Sequence, residues 1–141
     1  MEDKKIIGNF IIQIAGKPIE NVEKALNLIA EKLNEEKENF KILNIEIEEA
    51  DLDEETSLYS GFIDAKIRFN DISKLLGFIV DYTPNSIEIE EPDKIILTNN
   101  NITEILNDLS HIILNTQMQI RKLNANLHIM KKKIDEKENK N

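Results

Sequence analysis

Between Ile102 and Ile134 an apolar stripe recurs at steps of four and three: Ile102, Leu106, Leu109, Ile113, Thr116, Ile120, Leu123, Leu127, Met130 and Ile134, with Thr116 its one polar member. No Pro or Gly interrupts the stretch. That spacing keeps one seam of an α-helix facing a partner helix, so this part of the chain must be a long helix that pairs. Its 33 residues, at about 1.5 Å each, reach roughly 50 Å, beyond the span of a 100-residue domain.

With Leu106, Ile113, Ile120, Leu127 and Ile134 at heptad position a, position d holds Ile102, Leu109, Thr116, Leu123 and Met130. Ile and Leu at a with mostly Leu at d favours two strands. The flanking e and g sites Ser110, Ile112, Gln117, Gln119, Asn124 and Asn126 are uncharged, so they select no foreign helix by charge. The expected interface is therefore self-pairing, a parallel homodimer with an antiparallel pair as the alternative, through Leu106, Leu109, Ile113, Thr116, Ile120, Leu123, Leu127, Met130 and Ile134. In the first half, Ile105 and Ile112 widen the stripe, which suits packing on a broader surface.

Charge divides the chain. Residues 1–101 carry 11 Lys/Arg against 22 Asp/Glu, a net −11, while residues 102–141 carry 7 against 5, a net +2. An acidic domain repels phosphate backbones, so nonspecific nucleic-acid binding by it is not expected. Lys131, Lys132 and Lys133 read as a solvated helix face. Cysteine is absent, which removes disulfides, thiolate metal sites and Cys nucleophiles. The N-terminal MEDKKIIGNF lacks the apolar core of a signal peptide and no segment is long enough for a membrane span, so a cytoplasmic protein is expected.

Before the long helix, two kinds of period alternate. Phe10–Ile14 is β-branched and closed by Gly16, a first strand. After Pro18, Val22, Ala25, Leu26, Ile29 and Leu33 repeat at helical spacing over about 18–36. Residues 40–47, alternating on Leu43, Ile45 and Ile47, predict a second strand, and the acidic run Glu46–Glu55 an exposed strand end and loop. Ile63, Ala65, Ile67 and Phe69 alternate with Asp64, Lys66 and Arg68 in a half-buried third strand.

Asn70 or Asp71 can cap a second helix on Ile72, Leu75, Leu76 and Ile79. The turn at Tyr82–Ser86 leads to a fourth strand at Ile87–Glu90, with a short apolar continuation at Ile95–Leu97. Asn101, three residues before Glu104, is a candidate cap for the long helix. The order β-α-β-β-α-β followed by a helix predicts an α+β, ferredoxin-like sandwich with a C-terminal coiled-coil helix. The expected divisions are a domain at 1–98, a dimerisation helix at 99–136 and a disordered tail at 137–141.

Chemistry-bearing motifs are sparse. Gly16-Lys17-Pro18 has one glycine and one lysine where a phosphate loop needs two glycines and Lys-Ser/Thr. His111 and His128 lie on different helix faces and cannot share a metal within one chain. The Glu46–Glu55 run lacks the central Gly of a Ca²⁺ loop. The outward side of the third strand offers Asp64, Lys66 and Arg68, not the base-stacking aromatics of an RNA-recognition sheet. No catalytic, metal or cofactor-binding residue is expected, and the chain reads as non-enzymatic.

Residues 63–69, 72–82 and 86–92 resemble the C-terminal extension of WYL-domain regulators, a likeness confined to about 62–97 that leaves out their DNA-binding and WYL portions. Over its whole length the chain is similar to small archaeal proteins of unassigned activity. In those, a Tyr-Ser-Gly-Phe segment (here Tyr59–Phe62) and an Asp81–Ser86 turn precede a leucine-rich terminal helix. That likeness implies architecture and no site. Two functions follow as expectations: a homodimeric scaffold or adaptor with an unidentified protein partner, or an ACT-like regulatory module. The second would bind a small molecule between paired domains, near the turn at Ile14–Pro18 between the first strand and the first helix.

Overall fold

The computed structural model describes residues 5–140. Two compact units divide the chain, residues 1–95 and 96–141. The first contains β1 (Ile6–Gly16), α1 (Ile19–Glu35), β2 (Lys41–Asp53), β3 (Leu58–Phe69), α2 (Ile72–Tyr82) and β4 (Ser86–Glu91). The second is one helix, α3 (Asn99–Asn139).

The four strands form an antiparallel sheet in the order β2-β3-β1-β4, the ferredoxin-like topology. Each strand's parity separates two faces. On the helix-covered face β1 places Ile6, Phe10 and Ile12, and β3 places Ile63, Ala65, Ile67 and Phe69, all at or below 3 % exposure. Onto them α1 lays Val22, Leu26, Ala30 and Leu33, and α2 lays Leu75, Phe78 and Tyr82. Burial of this one-sided apolar set is what drives the sandwich together.

Aromatic rings hold its centre. Phe78 packs on Phe10 at 4.8 Å between ring centroids, on Tyr82 at 5.0 Å, and on Phe40 and Phe69 at 5.5 Å each. Most of these pairs are edge-on or tilted, the arrangement that aligns ring edges with ring faces. The Tyr82 hydroxyl donates to Glu36, which completes the one polar group among the rings. Burial and that hydrogen bond together hold the phenol well above its ordinary value.

Local chemistry sets the ends. The Asp71 carboxylate accepts from the Lys74 amide at 2.9 Å and starts α2, so of the two candidate caps Asp71 serves. Thr83 ends the helix in the left-handed region at φ 44, its amide donating to the Ile79 carbonyl at 2.9 Å. Asn85 then ties the turn to β1. Its amide donates to the Ile11 carbonyl at 2.7 Å, and its side chain exchanges hydrogen bonds with Gln13 at 2.9 and 3.2 Å.

Several boundaries differ from the sequence reading. β1 begins at Ile6 and β3 at Leu58, because each continues as long as the other pairs with it, from Ile6↔Phe69 to Gly16↔Tyr59. The acidic run is strand as far as Asp53, since Glu46, Glu48 and Asp51 pair with Asp64, Phe62 and Ser60. Along β2 the alternation on Leu43 breaks. A bulge between Ile42 and Asn44 leaves Leu43 40 % exposed and opposes Ile42, Ile45 and Ile47 to Ile67, Ala65 and Ile63.

Ile95–Leu97 form no strand. Pro92, just past Glu91, has no amide to extend the ladder. The long helix is capped by Thr98, not Asn101, and Asn101 acts as its third residue. It continues to Asn139 across residues expected in a tail. No Pro or Gly stands there, and Lys137 in the last turn complements the helix's negative end. Asn141 of that tail lies outside the described residues.

Candidate helix interface

The interface predicted from sequence lies wholly on α3. Thr98 opens the helix with a reciprocal box: its hydroxyl accepts from the Asn101 amide at 3.1 Å, and the Asn101 side chain accepts from the Thr98 amide at 3.3 Å. Such closure of free amides lets forty-one residues start cleanly as helix, about 60 Å of it.

All nine predicted interface residues are exposed and share one stripe. Exposure runs from 39 % at Leu109 through 49 % at Ile113 and 58 % at Leu106 to 62 % at Leu127. Within α3 no residue is buried. Thr116, the polar member, donates its hydroxyl to the Ile112 carbonyl at 2.8 Å, so it meets a partner with its hydrogen bond already made. Ile105 and Ile112, which widen the stripe, are half-buried.

Sequence reasoning passed over Leu114, Met118 and Ile129, which are 52 %, 64 % and 52 % exposed off the seam. Leu114 and Met118 are four apart and adjacent on the helix surface. Their signal, two apolar residues at heptad positions b and f, was present but is common on surface helices. His111 and His128 are exposed. Lys131 and Lys133 occupy e and g of the last full heptad, and Glu138, inside the helix, occupies the following e.

The sheet's open face is the other surface with functional potential. β1 presents Ile7, Asn9, Ile11 and Gln13 there, and β3 presents Phe62, Asp64, Lys66 and Arg68. Phe10 points inward and is fully buried, while Phe62, not counted among the outward residues in the sequence reading, points outward. Lys66 pairs with Glu90 at 2.9 Å, and Asn9 also donates to Glu90. The Lys66 ammonium draws the Glu90 carboxyl below its ordinary value. Between these strands a hollow of about 290 Å³ is walled by Glu46, Asp64 and Glu88 as well as Lys66, a poor surface for a phosphate backbone.

Among the described residues no cluster of three or more His, Asp or Glu is arranged to hold a metal ion, and no helix is long and apolar enough to cross a membrane. The chain belongs to the MJ0538 family, whose family model matches residues 8–140 and so takes in both the sheet unit and the long helix. No curated protein and no solved structure matches the chain.

Proposed function

We propose that the protein is a non-enzymatic homodimeric scaffold whose ferredoxin-like domains are carried on a parallel coiled coil of two α3 helices. One observation carries this reading. An unbroken 4-3 seam from Ile102 to Ile134 stands exposed along a helix of forty-one residues. Exposed apolar area on that scale is costly in water and is relieved by a matching seam, most simply that of a second copy.

The parallel direction is favoured by the end of the helix. In a parallel pair each g residue faces the e residue of the following heptad on the partner, which sets Lys133 beside Glu138 of the other copy. The seam also stops where it should, since Lys137 takes the d position after Ile134. The expected resemblance of residues 62–97 to WYL regulators adds no role: the family model that matches is another one, and β3 and β4 here pair with β1 and β2 in one four-stranded sheet.

Sedimentation equilibrium on the full chain tests the reading. A mass twice 16.3 kDa is expected, and a monomer at every concentration overturns it. Direction is read separately by a Lys137→Cys variant, whose d position faces its own counterpart in a parallel pair. Close approach of the two helix ends gives a rapid disulfide in a parallel dimer, and an antiparallel dimer gives none.

A further inference from the structure

A cavity of about 510 Å³ opens where α1 ends and β2 begins. Its position is the end of the sheet marked by Lys41↔Arg68 and Ile6↔Phe69, opposite to the Gly16-Lys17-Pro18 turn at the Gly16↔Tyr59 end. The volume lies within the roughly 300–1,000 Å³ of small-molecule sites. Leu33, Phe40 and Ile42 give it apolar walls, and Asn34 and Asn70 stand at its rim as amide donors.

Its charge is the unusual part. In a unit where acids outnumber bases two to one, Lys37, Lys41 and Arg68 line it with a single carboxylate, Glu38. Lys41 and Arg68 are direct cross-strand partners, and like charges placed opposite each other destabilise a sheet. Among the described residues the one ion pair is Lys66–Glu90, so none of these three cations is neutralised. The carbonyl end of α1 attracts a cation and accounts for Lys37 in the adjoining turn. It does not account for Lys41 and Arg68, which are held on strands.

We infer that this cavity binds a small organic phosphate, its phosphate group between Lys37, Lys41 and Arg68 and its organic part against Leu33, Phe40 and Ile42. Three cations approaching from a turn and two strands suit a tetrahedral group with several charged oxygens better than a planar carboxylate. The amides of Asn34 and Asn70 supply neutral donors for the remainder. A bound anion also removes the Lys41–Arg68 repulsion, so occupancy stabilises the domain. The inference is independent of the coiled coil, because every residue in it belongs to the first unit.

Calorimetric titration of the full chain with AMP, inorganic phosphate and adenosine tests it. Saturable binding of AMP is expected, with inorganic phosphate weaker and adenosine undetectable. Lys41→Gln with Arg68→Gln should weaken AMP by about tenfold or more, each lost contact being charge-assisted. Melting in phosphate-free buffer establishes that this variant is folded. Lys37→Gln, in a turn outside the sheet, should weaken AMP separately. Equal loss on Lys24→Gln, a surface α1 lysine outside the cavity, means nonspecific attraction and overturns the site. So does the absence of saturable binding by both AMP and inorganic phosphate, or unchanged affinity in the cavity variants.

Discussion

Replacing Ile120 and Leu127 together by Asp should convert the proposed dimer to monomers. Those side chains are 51 % and 62 % exposed on α3, so slightly more than half of each remains to be covered by a partner. Full burial of an Ile or Leu is worth about 1.5–3 kcal/mol, which leaves roughly 1–2 kcal/mol for each. Two sites in two chains then contribute about 4–8 kcal/mol to association. At about 1.4 kcal/mol per tenfold, even the lower figure weakens the dimer by about three orders of magnitude. Facing aspartates at the a positions add repulsion to that loss. Sedimentation velocity at tens of micromolar protein should show the wild type as a dimer and the variant as a 16.3 kDa species. Met118→Asp, off the seam, is the control and should remain dimeric. A double variant that stays dimeric, or a Met118→Asp that dissociates equally, refutes the heptad assignment.

Three further outcomes test the domain. Phe78→Ala, which removes the ring at the centre of the aromatic cluster, should cost about 3–5 kcal/mol in urea unfolding. Gly61→Ala should cost about 1–3 kcal/mol by overpacking, since an added Cβ meets Leu26 Cδ1 at 2.5 Å and the Glu48 carbonyl at 3.1 Å. The contribution of Tyr82 to stability should be level up to about pH 10 and fall above it, because Tyr82 is raised in the folded state by burial and its bond to Glu36 while the unfolded chain ionises near 10.0. Tyr82→Phe should flatten that alkaline decline in thermal melts taken across the range.

What was legible in sequence was whatever a single segment encodes. Ile63 to Phe69 alternates so regularly that strand and buried face could both be read from it. Strand length could not. Ile6 to Asn9 and Tyr59 to Phe62 extend their strands only because the first meets Phe69 to Lys66 and the second Gly16 to Gln13 across the ladder. The Leu43 bulge hides for the same reason, since local alternation is intact and only the register against β3 skips. An acidic run reads as loop by propensity, yet as an edge strand it needs pairing on one side alone. The α3 stripe was legible because its pattern is local to one helix. The basic cavity was not, as Lys37, Lys41 and Arg68 come from separate segments and nothing short of the register Lys41↔Arg68 joins them.

The bulged, acid-rich β2 edge has a consequence for any assembly built on α3. Tethering two domains raises each one's concentration around the other to roughly millimolar. A thirteen-residue edge strand at such a concentration is a template for zipping domain to domain. Glu46, Glu48, Glu49, Asp51 and Asp53 charge that edge, and its two register shifts twist it out of line. In a dimer built as proposed they would act as a spacer made of repulsion, keeping neighbouring domains separate while the helices hold them close. Because repulsion between exposed charges is screened by salt, the separation is itself adjustable: concentrated salt should draw the tethered domains together where dilute buffer holds them apart.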